Sequence, residues 1–141
     1  MDSAVLAWVR LARVARRVER DLGRWLAPWG LSTAQFDALA QIGAAEGLTQ
    51  QELAAALLVT KGNISQLLDR MEARGLIRRR QEGRAVRLAL TDAGRRCRDE
   101  VVPAHEAWLA ARFAALTPEE VARLRALLRK LDRAPVDQDR E

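Results

Sequence analysis

The sequence predicts a mainly α-helical fold with one small β-hairpin, and three observations carry that prediction. Side-chain caps mark helix starts along the whole chain, a heptad seam of apolar residues opens it, and only the region near Val86–Leu90 alternates at period two. At 141 residues the chain fits a single domain, 1–141, and can bury roughly two-thirds of its unfolded surface, so it needs neither disulfides nor a metal. One cysteine and one histidine fall short of the three or four ligands of a zinc site, so no cofactor is expected. No apolar run approaches the roughly 18 residues of a membrane span. Asp2 and Arg10 do not fit a signal-peptide layout, so a reduced, cytoplasmic protein is expected.

The first element is a long helix. Ala4, Trp8, Leu11, Ala15, Val18, Leu22 and Trp25 follow alternating steps of four and three, a seam whose apolar area exceeds what a compact monomer readily covers. Part of that surface is expected to be covered by a second chain. Pro28 and Gly30 end the helix. Ser32 with Gln35 and Thr49 with Glu52 have the spacing of capping boxes. Thr60 and Thr91 are simple N-caps, and Thr117, Pro118 and Glu120 combine cap, helix-initiating proline and box partner. Helices are therefore predicted over 33–45, 50–57, 61–74, 92–115 and 118–132. Pro103 is expected to kink or divide the fifth of the chain's six helices.

Leu76 and Ile77 open a strand through Arg80, Gln81 to Gly83 form the turn, and Val86, Leu88 and Leu90 mark the returning strand. A hairpin this short has to pack on neighbouring helices. The tail over 133–141 is polar and expected to fray.

Charge is segregated. Residues 1–60 are neutral, residues 61–98 carry a net +7, and residues 99–141 carry −2, within a whole-chain balance of +5. A bias toward Arg and Ala explains why the cations are Arg, but not why they gather in one stretch. A local basic surface is the electrostatic footprint of an anionic partner such as nucleic acid. The helix at 61–74 places Ile64, Leu67, Leu68 and Met71 on one face and Lys61, Asn63, Ser65, Gln66, Asp69 and Arg70 on the other. Donors and acceptors of that kind read base edges from a helix in a major groove, and Gly62 allows close backbone approach. Asp69 and Glu72 stand near Arg70 and Arg74, so ion pairing competes with phosphate contact there. Gly75 caps the helix, and Arg78, Arg79, Arg80, Arg84 and Arg87 follow on the hairpin. Helix-turn-helix plus basic hairpin is a winged helix.

The segments LSTAQFDAL, LTQQELAAALLVTKGNISQLLDRMEARGLIRR, GRAVRLALT and LTDAG, in that order, resemble the MarR family of bacterial transcriptional regulators, over about residues 5–132. The resemblance implies a homodimeric repressor, with residues 1–30 and 92–132 as dimerisation helices and 31–91 as a winged helix-turn-helix on a palindromic operator in double-stranded DNA. Carried over position by position, Thr60, Lys61, Asn63, Ser65 and Gln66 match DNA-contacting positions of the recognition helix, and Arg84 matches the wing arginine that enters a minor groove. The tip Glu82–Gly83–Arg84 is shorter than the family's, with Glu where the family has Asp, so Arg87 or Arg80 enters as a flanking phosphate contact and Arg70 as another.

The family's small aromatic or phenolic effectors suggest a role for Trp25, Trp29 and Phe36 at the first helix junction, with Arg24 or Arg16 as counter-charge. Ordinary core packing competes for the same aromatics. Trp8, Trp108 and Phe113 are assigned to the dimer interface. Cys97 admits a redox-switch reading, against that of a small buried hydrophobe; the family's peroxide sensors carry their thiol in the first helix, where this chain has none. His105 has no catalytic partner at a recognisable spacing, and no nucleophile elbow, phosphate loop or metal motif is present, so no enzyme activity is expected. The alternative of another class is a winged-helix module that binds protein instead of DNA.

Overall fold

The computed structural model describes residues 2–57 and 61–133, with the side chain of Lys61 outside that set. Its elements are α1 (Ser3–Leu26), a short 3₁₀ turn (Ala27–Trp29), α2 (Thr33–Ala44), α3 (Gln50–Leu57), α4 (Lys61–Ala73), β1 (Ile77–Glu82), β2 (Ala85–Leu90), α5 (Asp92–Arg112) and α6 (Pro118–Asp132). The chain divides into two compact units, residues 1–102 and 103–141.

Local chemistry accounts for the helix starts. Ser32 and Gln35 form a reciprocal capping box, as do Thr117 and Glu120. Thr49 Oγ1 accepts from the Glu52 amide at 3.0 Å while the Glu52 carboxylate accepts from the Thr49 amide at 3.3 Å. Asp2 caps α1 by accepting from the Ala4 amide at 2.9 Å. The N-cap expected at Thr60 lies outside the described residues, as does the tail beyond 133.

Four boundaries differ from expectation, the smallest being α2, which ends at Ala44 and not 45. The fifth helix, α5, runs through Pro103 but stops at Arg112, not 115. Leu116 donates to the Phe113 carbonyl in a tighter turn, because Thr117 must go extended, at φ −71 and ψ 160, to cap α6. The fourth helix ends at Ala73. There the Leu76 amide reaches the Met71 carbonyl and the Gly75 amide the Glu72 carbonyl, a Schellman ending that needs the left-handed φ of +72 at Gly75. The hairpin turn is Gly83–Arg84, not Gln81–Gly83. Gln81 and Glu82 stay in the ladder opposite Val86 and Ala85, and Gly83 takes a φ of +60 at the first turn position.

In the first unit the core is a continuous apolar interior. Leu22 and Leu26 come from the end of α1, Phe36, Leu39 and Ile42 from α2, Leu53 from α3, Ile64, Leu68 and Met71 from α4, and Ile77, Leu88 and Leu90 from the hairpin. A third short stretch joins the sheet: Gly47 donates to the Leu88 carbonyl and Leu88 donates to the Leu48 carbonyl. Along the heptad seam of α1, Leu22 is buried, Leu11, Val18 and Trp25 are half-buried, and Ala4, Trp8 and Ala15 are exposed; off the seam, Val5, Leu6 and Val9 are exposed as well. Leu26, which the seam omitted, is fully buried. In the second unit no described residue is buried, and Leu127, Leu128 and Leu131 stand exposed on α6.

Candidate nucleic-acid interface

The polar face of α4 is where the sequence placed it. Ile64, Leu68 and Met71 are buried and Leu67 half-buried, which turns Gly62, Asn63, Gln66, Asp69 and Arg70 outward. Ser65 is half-buried, and its hydroxyl accepts from the Gln50 side-chain amide at 3.0 Å, so it joins α3 to α4 as well as facing the surface. Thr60 and the side chain of Lys61 lie outside the described residues.

Beside α4, a cleft of about 430 Å³ is lined by Gln50 and Gln51 of α3, Ile64 and Ser65 of α4, and Arg84 and Val86 of the hairpin. The structure thus brings Ser65 and Arg84, 19 positions apart in the sequence, to the walls of one groove. Arg84 at the tip is exposed and has no ion pair among the described residues.

The five hairpin arginines are not equivalent. Arg80 and Arg87 are directly opposed in the ladder, where like charges repel, and Glu82 relieves this by lying 3.1 Å from Arg80 and 3.5 Å from Arg87. Arg87 is also drawn inward, its Nη1 donating to the Gly47 carbonyl at 3.0 Å. It therefore supports the turn before α3 and is less open to a phosphate than Arg84 or Arg78. Arg79 faces α4 and is held by Asp69 at 2.6 Å and Glu72 at 3.1 Å. The hydrogen bond from Arg79 holds the Glu72 carboxyl below its ordinary range against some opposing desolvation, and the same bond raises the Arg79 guanidinium.

This corrects the expectation that Asp69 and Glu72 pair within the helix. Neighbouring helix positions point in different directions, and the side chains that face Asp69 and Glu72 belong to the strand packed across them. Arg70 is left exposed without an ion pair among the described residues, while Arg74 donates to the Gly30 and Trp29 carbonyls. The signal that could have found the Arg79 contact is the alternation of β1: two residues after the buried Ile77, position 79 must face the helix.

At the α1–α2 bend, the Trp25 and Trp29 rings lie 4.7 Å apart at 45°, both half-buried, and Arg24 is exposed. Phe36 is buried in the core at 4% exposure. Cys97 is half-buried, and burial pushes its thiol up, with Arg74 opposing and Glu100 reinforcing the shift. A thiol so placed carries less thiolate than a free cysteine at neutral pH, which favours the hydrophobe over the redox switch. His105 stacks on Trp108 at 6.2 Å, and Arg112 lies 5.0 Å over the same indole.

No helix among the described residues is long and apolar enough to cross a membrane, and no cluster of three or more metal-ligating side chains occurs among them.

Comparison with known proteins agrees with this geometry. A model of the MarR family matches residues 29–87. An uncharacterised HTH-type transcriptional regulator of Bacillus cereus is 36% identical over 115 residues, covering 82% of this chain and 78% of that protein. The crystal structure of a MarR-family transcriptional regulator from Silicibacter pomeroyi superposes with a TM-score of 0.78 at 31% identity, covering 93% of this chain and 92% of that one. A mutant MarR from E. coli complexed with operator DNA superposes with a TM-score of 0.81 at 28% identity, covering 93% and 99%.

Proposed function

The chain belongs to the MarR family of winged-helix transcriptional regulators, DNA-binding proteins and not enzymes, and from that premise we propose that it acts as a homodimeric repressor on a palindromic operator, released by a small effector. The observation that carries the reading-head assignment is the shared groove: Ser65 of α4 and the tip arginine Arg84 border one cleft, with the exposed Asn63 and Gln66 on the same helix. In this reading Asn63, Ser65 and Gln66, with Thr60 and Lys61 ahead of them, lie in a major groove. Arg84 reaches the neighbouring backbone or minor groove, and Arg70 contacts phosphate. Arg87 contributes mainly by holding the hairpin base through Gly47.

The dimer is supported by what each unit leaves uncovered. Trp8 is 62% exposed on α1 in the first unit and Leu131 is 63% exposed on α6 in the second, and a helical segment with no buried side chain is not self-sufficient. Residues 1–30 and 92–132 are the proposed dimerisation segments. For the effector, a small aromatic or phenolic anion against Trp25 and Trp29, with Arg24 as counter-charge, fits the bend between α1 and α2, with Phe36 as the core beneath. An effector releases DNA if it binds better to a dimer whose reading heads are mis-spaced.

The test is fluorescence anisotropy with random and operator-containing duplexes at two salt concentrations, with sedimentation to fix the oligomeric state. Expected are a dimer and an affinity that falls steeply with salt, because neutralised phosphates release counterions. A monomer sinks the dimeric reading, and the absence of salt-sensitive duplex binding sinks the DNA-binding proposal and favours a winged-helix module that binds protein.

A further inference from the structure

Arg79 spends four hydrogen bonds on one turn of α4. Its backbone amide and Nε donate to Glu72 Oε2 at 3.2 and 3.4 Å, and its Nη2 donates to Glu72 Oε1 at 3.1 Å and Asp69 Oδ1 at 2.6 Å. Asp69 and Glu72 are three positions apart and so share a face of the helix. The side chain of Arg79 is only 22% exposed, although it lies on a two-stranded hairpin. β2 is held separately, by backbone bonds to residues 47 and 48. β1 is paired with β2 along its whole length, so the Arg79 contacts tie the laddered hairpin, and the tip beyond it, to α4.

From this geometry we infer that Arg79 is a positioning residue: by gripping Asp69 and Glu72 it sets where Arg84 stands relative to the polar face of α4, and so whether both reach DNA together. The inference rests on the DNA-binding reading above. It assigns the basic residue beside the junction a role opposite to that of its neighbours: its charge is consumed inside the protein and gives no direct attraction to phosphate.

The experiment is a double-mutant cycle read by anisotropy on a random duplex at several salt concentrations. In the unmutated chain, Arg84→Ala should weaken binding about tenfold and lower the log–log salt slope by about 0.9 per reading head. In the Arg79→Gln background, and in the Asp69→Asn/Glu72→Gln background, the same Arg84→Ala change should cost less than twofold. These two backgrounds move the net charge in opposite directions. A purely Coulombic role therefore predicts that the carboxylate variant binds more tightly with Arg84 still contributing in full, whereas the clamp predicts loss of the Arg84 contribution in both. Thermal melts identify a background that fails to fold, and the other then decides. An equal cost of Arg84→Ala in all folded backgrounds overturns the inference, as does an Arg84→Ala change without cost in the unmutated chain. Failure of the unmutated chain to bind duplex DNA is a separate result, which removes the proposed function itself.

Discussion

Arg74 Nη1 donates to the Gly30 carbonyl at 2.6 Å and its Nη2 to the Trp29 carbonyl at 3.2 Å, fastening the end of α4 to the bend that follows α1. Gly30 sits there with a φ of +68, and a Cβ built on it would lie 3.1 Å from Arg74 Nη2. The end of α4 and the paired tryptophans thus share one fastening. Arg74→Ala removes two charge-assisted bonds at an exposed position, and a loss of about 1 kcal/mol is expected. Thermal unfolding should show a Tm several degrees lower, and the emission of Trp29 should shift with it. A Tm and spectrum equal to the parent's would show that the fastening carries no energy.

Gly94 permits the closest approach in the first unit. A Cβ there would fall 1.9 Å from the Leu76 carbonyl oxygen, a backbone atom that cannot swing aside. Gly94→Ala should therefore cost about 3 kcal/mol or more, despite the gain in helix propensity from adding a methyl group. Urea denaturation is the measurement, and a variant as stable as the parent would mean that α5 can slide off the strand entrance.

Gly62 is the contrasting case, with nothing among the described residues within 4 Å of its would-be Cβ and an exposed place in the first turn of α4. Gly62→Ala should stabilise the fold by up to about 1 kcal/mol while weakening duplex binding, because the methyl group occupies the space between helix backbone and DNA. Gln66→Ala should leave stability unchanged and relax preference at particular operator base pairs, by roughly 1–3 kcal/mol at each. If Gly62→Ala binds DNA as well as the parent, the first turn of α4 does not approach the duplex closely.

The Arg79 hydrogen bond lowers the pKa of Glu72 from its ordinary 4.5 in the folded state. The folded carboxyl is the stronger acid, so the stability it contributes is fully present above pH 4.5 and is lost as pH falls through the folded value. Exposure keeps that contribution small. An NMR titration of the side-chain carboxyl carbons should place the Glu72 midpoint below 4.5 in the parent and return it toward 4.5 in Arg79→Gln. An unmoved midpoint would remove the ion pair from the solution structure.

Most of the helical architecture was legible because its signals are local. A hydroxyl followed three residues later by Glu or Gln fixed the starts of α2, α3 and α6, and the four-residue apolar stripe of α4 fixed which face it buries. Less legible were the features that depend on a partner brought from elsewhere in the chain. Asp69 and Glu72 have arginines close by in sequence, yet their partner comes from β1, and Arg87 looks like a surface cation until the Gly47 carbonyl appears beside it. Periodicity found the apolar seam of α1. It could not say which end the protomer covers, since that depends on tertiary packing.

Thr91 donates its hydroxyl hydrogen to the Gly75 carbonyl, accepts at the same oxygen from the Gly94 amide at 3.0 Å, and sends its own amide to the Leu76 carbonyl at 3.1 Å. The chain leaves α4 and enters α5 through one knot, so everything between residues 76 and 90 departs from and returns to the same point. Such a closed excursion is a cartridge: its tip can be lengthened, shortened or exchanged without altering the seating of the two helices it interrupts. The reach of the wing can then diversify, in evolution or by design, while the scaffold that carries it stays fixed.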